Sequence, residues 1–199
     1  MVRIAQTGTS GSPQRLGWWI GAIGRRWPSW LAIALVTVNL LGGEDSARDT
    51  VHGFGEALLL LPLGYLILAK LERRRATWLV VIIALGAMTV LRALNLIPPS
   101  AVIVTVALLV LVQGALGKRP EDKRMFAIQA IGMVGFGALA LTGLAVDPDL
   151  GRSLVAAGWF FHGVWDFVHL KLDKVVSRSF AEWCGLFDIL IAAMLIFQP

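Results

Sequence analysis

The sequence predicts an all-α integral membrane protein of seven transmembrane helices, with a cytoplasmic N-terminus and an outer C-terminus. Three observations predict it. Of the 199 residues, 57% are hydrophobic and 16% charged, with a mean hydropathy of +0.73, whereas about a quarter of a soluble domain is charged. The apolar residues fall in runs that cross ~30 Å of hydrocarbon, about 20 residues of helix. The basic residues gather between alternate runs, the asymmetry that orients spans in a bilayer.

Charged or turn-forming residues bound the seven apolar segments at approximately 27–43, 51–69, 78–96, 100–117, 125–146, 152–170 and 180–197. The first is the shortest, and charge placement retains it. With the N-terminus inside, the inner segments hold Arg3, Arg15, Arg25 and Arg26, then Lys70, Arg73, Arg74 and Arg75, then Lys118, Arg119, Lys123 and Arg124, and lastly Lys171, Lys174 and Arg178. Only Arg48, Arg92 and Arg152 lie towards the outside, in company with Glu44, Asp45, Asp49, Asp147 and Asp149. Without a span over 27–43, Arg25 and Arg26 fall on the wrong side.

Residues 1–26 read separately from the domain at 27–199. The stretch MVRIAQTGTSGSPQ has the small, polar composition of a flexible tail. RLGWWIGAIGRRW interleaves tryptophan with arginine, which suits a short helix lying on the cytoplasmic leaflet. A basic start before an apolar run also fits a secretory signal, but no small-x-small cleavage site follows Leu41, so the first span is read as uncleaved. The expected location is the inner membrane of a bacterium. The net charge of +5 is spread over loops, so no nucleic-acid partner is expected. Membrane lipids are the expected partners, with a lipid-soluble substrate or another membrane protein beside them. Cys184 is the single cysteine and excludes an internal disulfide.

Function is sought where ionisable groups enter the apolar runs, because each costs several kcal/mol at the bilayer centre. GWFFHGVWDFVHLKLDK carries His162, Asp166 and His169. Spacings of four and three put them on one helical stripe, which must face other helices or a wet cavity. Glu182 and Cys184 fall near the inner end of the next span and Asp188 about two turns in; Cys184 and Asp188, four apart, share a face. A short loop makes these two helices antiparallel neighbours, bringing His, Asp, His, Cys and Asp to matching depths.

Imidazole, carboxylate and thiolate together suit a divalent metal such as zinc, iron or manganese. His162, Asp166, His169, Cys184 and Asp188 are the candidate ligands. Because His162 and His169 lie about 10 Å apart along the axis, one His–Asp pair with Asp188 or Cys184 is the expected core, and the other histidine serves as outer support or as a base. His162, Asp166, His169 and Asp188 are correspondingly the candidate catalytic residues. Without a metal, the same residues form a His–Asp–His proton relay, or simply hold helices together.

A second group lies near the outer ends: His52, Glu56 and Arg92, with Asn39 and Asn95 close by. A Glu56–Arg92 ion pair is the structural expectation; an outer gate or substrate contact is the functional one. GMVGFGALALTG in the fifth span is read as close helix packing rather than a phosphate loop. Gln113 and Gln129 are read as interhelical hydrogen-bond formers, and KLERRR and GKRPEDKR as topology determinants.

The H-x-x-W-D-x-x-H pattern of His162, Trp165, Asp166 and His169, followed by C-x-x-x-D at Cys184 and Asp188, resembles a pattern in uncharacterised bacterial multi-pass membrane proteins. The resemblance covers residues 158–192 and implies no particular activity. Where those sequences place a second histidine after the last one, this chain has Leu170. More loosely, the chain is similar to the seven-span intramembrane zinc hydrolases of the alkaline ceramidase and progestin/adiponectin-receptor type, which also gather histidines and an aspartate near the cytoplasmic side. Their paired His-x-x-x-His on a late helix is absent here. The leading expectation is a metal-dependent enzyme acting on a lipid-soluble substrate. A proton- or ion-coupled transporter and a structural subunit of a membrane complex are the alternatives.

Overall fold

The computed structural model describes residues 24–42, 46–116 and 121–197, so the expected tail and most of the interfacial segment lie outside the described residues. Among those described, the chain is all-α: α1 (Trp27–Leu41), α2 (Ala47–Leu71), α3 (Thr77–Leu94), α4 (Pro99–Leu116), α5 (Lys123–Ala145), α6 (Pro148–Leu172) and α7 (Arg178–Phe197), with a short 3-10 turn at Arg74–Ala76. Each expected apolar segment falls largely within one helix. Five of the helices are long and apolar enough to cross a membrane, while α1 has only 15 residues. At 25 residues α6 is long enough, but its histidines and Asp166 lower its hydropathy.

Local sequence explains where the helices start. Ser46 accepts a hydrogen bond from the Asp49 amide at 3.2 Å, Asp122 from Met125 at 2.9 Å and Asp147 from Leu150 at 3.0 Å, each satisfying an otherwise orphaned donor. Pro148 follows Asp147 at the first helical position, where a missing N–H costs nothing. These caps extend α2 and α6 beyond the apolar segments read from hydropathy.

Helices α2, α5, α6 and α7 carry the core, with Leu58, Leu59, Val155, Trp159, Ile191 and Leu195 all buried between them. Helix α1 packs on α7, and α3 and α4 lie on the outside of α2. Their outward faces stay apolar: Ile82 and Ile83 on α3 and Leu108 and Leu109 on α4 are exposed, which is compatible with insertion in a membrane. Of the glycine-rich stretch, Gly132 faces Trp165 of α6 and Gly143 faces Gly151, while Gly135 faces open space. Small residues thus set the α5–α6 approach.

Contacts between helix ends show which ends lie together. Arg26 and Ser29 reach Glu182 at 3.1 and 2.7 Å; Lys70 reaches the Gln113 carbonyl at 3.1 Å; Lys174 lies 3.8 Å from Asp122. Arg74 ties the α6–α7 loop down, donating to the Val176 carbonyl at 2.8 Å, to the Asp173 carbonyl at 2.9 Å and to the Asp173 carboxylate. That loop holds Val175 at φ 68, a conformation a β-branched residue adopts only when its surroundings impose it. The basic clusters at Arg26, Lys70 to Arg75, Lys123 and Lys171 to Arg178 therefore share one end of the bundle. Arg92 marks the opposite end, paired with Glu56 at 3.0 Å and bonded to the Gly53 carbonyl at 3.1 Å.

Candidate metal centre

Helices α6 and α7 approach most closely at two glycines. A Cβ on Gly163 would lie 3.0 Å from the Gly185 carbonyl oxygen, and one on Gly185 would lie 3.2 Å from the Asp166 Cβ. A Cβ at either position is tighter than ordinary van der Waals contact, and a bulky side chain there has no room between the helices. This contact is flanked by His162 and Asp166 on one helix and by Cys184 and Asp188 on the other. The glycines are thus what lets the four polar side chains meet.

They meet tightly. One donor atom from each of His162, Asp166, Cys184 and Asp188 lies within 4.8 Å of all the others, and none of the four side chains is exposed. His162 Nδ1 is 2.7 Å from Asp188 Oδ2 and 3.2 Å from Asp166 Oδ2. The Cys184 thiol points at Asp188 Oδ1 from 3.7 Å. Two facing carboxylates in such a place require positive charge or protons between them.

A residue that the sequence reading missed completes the group. Tyr65 of α2, 1% exposed, donates its hydroxyl to Asp166 Oδ1. Its ring meets the His162 and His169 rings at centroid distances of 5.7 and 4.9 Å. The available signal was that Tyr65 is the only tyrosine, set in the apolar run LLLLPLGYLILAK; a buried phenol needs a polar partner.

His169 is not part of this group. Its Nδ1 faces the Trp165 carbonyl at 2.9 Å, and its Nε2 faces the Gln129 amide nitrogen at 2.9 Å. A carbonyl only accepts, so Nδ1 carries the proton and Nε2 accepts from Gln129. Both ring nitrogens are therefore committed away from Asp166. The two-turn separation of His162 and His169 is the reason: residues seven apart share a face but not a depth. Gln129 makes the interhelical bond expected of it. Gln113 contributes its backbone carbonyl instead, with its side chain exposed.

The outer group does not converge on the cluster. His52 is exposed, and Glu56 and Arg92 form the expected ion pair at 3.0 Å. With the arginine half exposed, such a pair contributes ~0–1 kcal/mol. Asn95 ends α3 in a left-handed conformation. Glu182 is held by Arg26 and Ser29 at the basic end, apart from Asp188.

The donors fit a divalent metal. Metal–ligand bonds of ~2.0–2.3 Å place tetrahedral ligands about 3.3–3.8 Å apart, so the group needs only small adjustments: the His162–Asp188 pair opens and the widest pair closes. Asp166 Oδ2 and His162 Nε2 are buried without a hydrogen-bond partner, an uncommon state for such atoms that a bound ion or water relieves. The mixed N, O and S set suits zinc or iron, and manganese less well because of the thiol. No family model matches the chain, and no curated protein or solved structure shows significant similarity to it.

Proposed function

We propose that this chain is a seven-span protein of a bacterial inner membrane, with its N-terminus in the cytoplasm, and that it binds one divalent metal for a reaction on a lipid-soluble substrate. The observation that carries the reading is the meeting of four donor atoms within 4.8 Å, in a core built mainly of apolar side chains. Placing such groups in a membrane is expensive, and a metal is the ligand that all four satisfy together. The gathering of basic clusters at one end of the bundle supports the orientation.

When bound, such a metal would supply a Lewis acid that polarises a substrate, its coordination expanding beyond the four protein ligands to admit it. His162, Asp166, Asp188 and Cys184 would hold it. Approach is from the cytoplasmic leaflet. At that end a pocket of about 310 Å³ is lined by Leu68, Ala69, Met125 and Val175, under a charged rim that includes Glu72, Arg74 and Lys174. Of the lining residues, Leu68 lies one turn from Tyr65, and Met125 one turn from Gln129, the partner of His169.

Proton- or ion-coupled transport is the second reading, favoured by the imidazole that faces two carboxylates. Against it, the buried side chains on the far side of the cluster are apolar, among them Leu58, Val155, Trp159 and Ile191. They leave no polar route onward among the described residues. A structural subunit would need the cluster only to lock α6 to α7.

The thermal unfolding of the detergent-purified protein tests the metal reading. Zinc, iron(II) or manganese(II) at a hundredfold excess over its Kd is expected to stabilise the parent by about 3 kcal/mol. Asp188→Asn abolishes the effect. A parent that none of the three ions stabilises overturns the reading.

A further inference from the structure

Asp166 and Asp188 are held differently. Both oxygens of Asp188 are engaged, Oδ2 by His162 Nδ1 at 2.7 Å and Oδ1 by the Cys184 thiol at 3.7 Å. Asp166 has Oδ1 engaged by the Tyr65 hydroxyl, while Oδ2 is buried with no hydrogen bond of its own, its nearest polar neighbour being His162 Nδ1 at 3.2 Å, which is directed at Asp188. Tyr65 is itself fixed by rings on several sides: His162 and His169 edge-on, and Phe180 at 6.2 Å. The phenol therefore has little freedom to leave the carboxylate.

We propose that Tyr65 is the positioning residue of the metal centre, holding Asp166 to coordination through Oδ2 alone; this rests on the metal reading above. A carboxylate binds a cation through one oxygen or both, and the hydrogen bonds behind it decide which. With Oδ1 occupied by Tyr65, Asp166 offers one donor atom. His162, Cys184 and Asp188 add one each, and the ion is four-coordinate. Without the phenol, Oδ1 is free to turn inward and the coordination number rises. The tyrosine thus keeps the site tetrahedral and selects zinc-like over octahedral ions, without touching the metal.

Cobalt(II) tests this, because its visible absorption is several-fold stronger in four-coordinate than in five- or six-coordinate sites. The full-length protein in detergent is titrated with cobalt(II) alone, beside Tyr65→Phe, which keeps the ring. The parent is expected to give the intense four-coordinate spectrum. Tyr65→Phe is expected to give a spectrum several-fold weaker, with cobalt affinity reduced ~10–100-fold. Phe160→Leu, on the exposed face of α6, is expected to keep the parental spectrum. An unchanged spectrum in Tyr65→Phe overturns the role of Tyr65 and leaves the metal reading standing. A folded parent that binds no cobalt, zinc or iron overturns the metal reading itself.

A second measurement needs no substitution. Tyr65 is the only tyrosine in the chain, so uniform 3-fluorotyrosine labelling places fluorine there alone. Its 19F resonance is expected to shift on addition of zinc as Asp166 becomes a ligand. A resonance unmoved by saturating zinc overturns the inference.

Discussion

Replacing His162 with leucine is expected to destabilise the protein by about 3–5 kcal/mol, measured as loss of helicity on unfolding in detergent. The imidazole stands between two carboxylates, 2.7 Å from Asp188 and 3.2 Å from Asp166, with none of the three exposed. Leucine fills similar space but leaves the two carboxylates facing each other without the imidazole between them. Breaking a buried charge group from one side costs far more than removing it whole. The double replacement His162→Leu with Asp188→Asn is therefore expected to cost less than the sum of the two singles. Strict additivity would show that the three side chains do not act as a group.

The second large effect belongs to a residue with no side chain. Gly185→Leu is expected to destabilise the chain by 1–3 kcal/mol or more and to abolish metal binding. The Cβ alone would meet the Asp166 Cβ and Phe167 Cε1 at 3.2 Å and the Gly163 carbonyl oxygen at 3.3 Å. Helices α6 and α7 must separate, carrying Cys184 and Asp188 away from His162 and Asp166. Gly135→Leu is the control, because nothing lies within 4 Å of a Cβ there and the face is open. Equal stability and metal content in the Gly185→Leu and Gly135→Leu proteins would show that the α6–α7 approach does not build the site.

These expectations mark what could be read from the chain and what could not. Hydropathy located all seven helices, because lipid-facing composition is a property of each segment alone. It missed the first turns of α2 and α6, which are set by the caps at Ser46 and Asp147 rather than by apolar residues. Within the site, the four-residue spacings His162–Asp166 and Cys184–Asp188 were legible, since helical period decides which residues share a face. The short α6–α7 loop then implied that the two faces meet.

Tyr65 could not be found that way. It lies 101 residues before Asp166, and nothing local to α2 says which helix it packs against or at what depth. Which histidine joins the carboxylates was left open for the complementary reason: periodicity supplies a face, and only the packed structure supplies the partner, which for His169 is Gln129. Arg74 was read as a topology signal, and its clamp on Asp173 and Val176 depends on two loops meeting at one end of the bundle. Long-range packing decided each of these cases.

The most direct test of a metal centre is elemental analysis by inductively coupled plasma mass spectrometry, on detergent-purified protein prepared without chelators. The expected result is close to one zinc, iron or manganese per chain in the parent, and none in Asp166→Asn and Asp188→Asn proteins of parental helicity. A fully helical parent that carries no metal, and takes up none when all three ions are supplied, would contradict it.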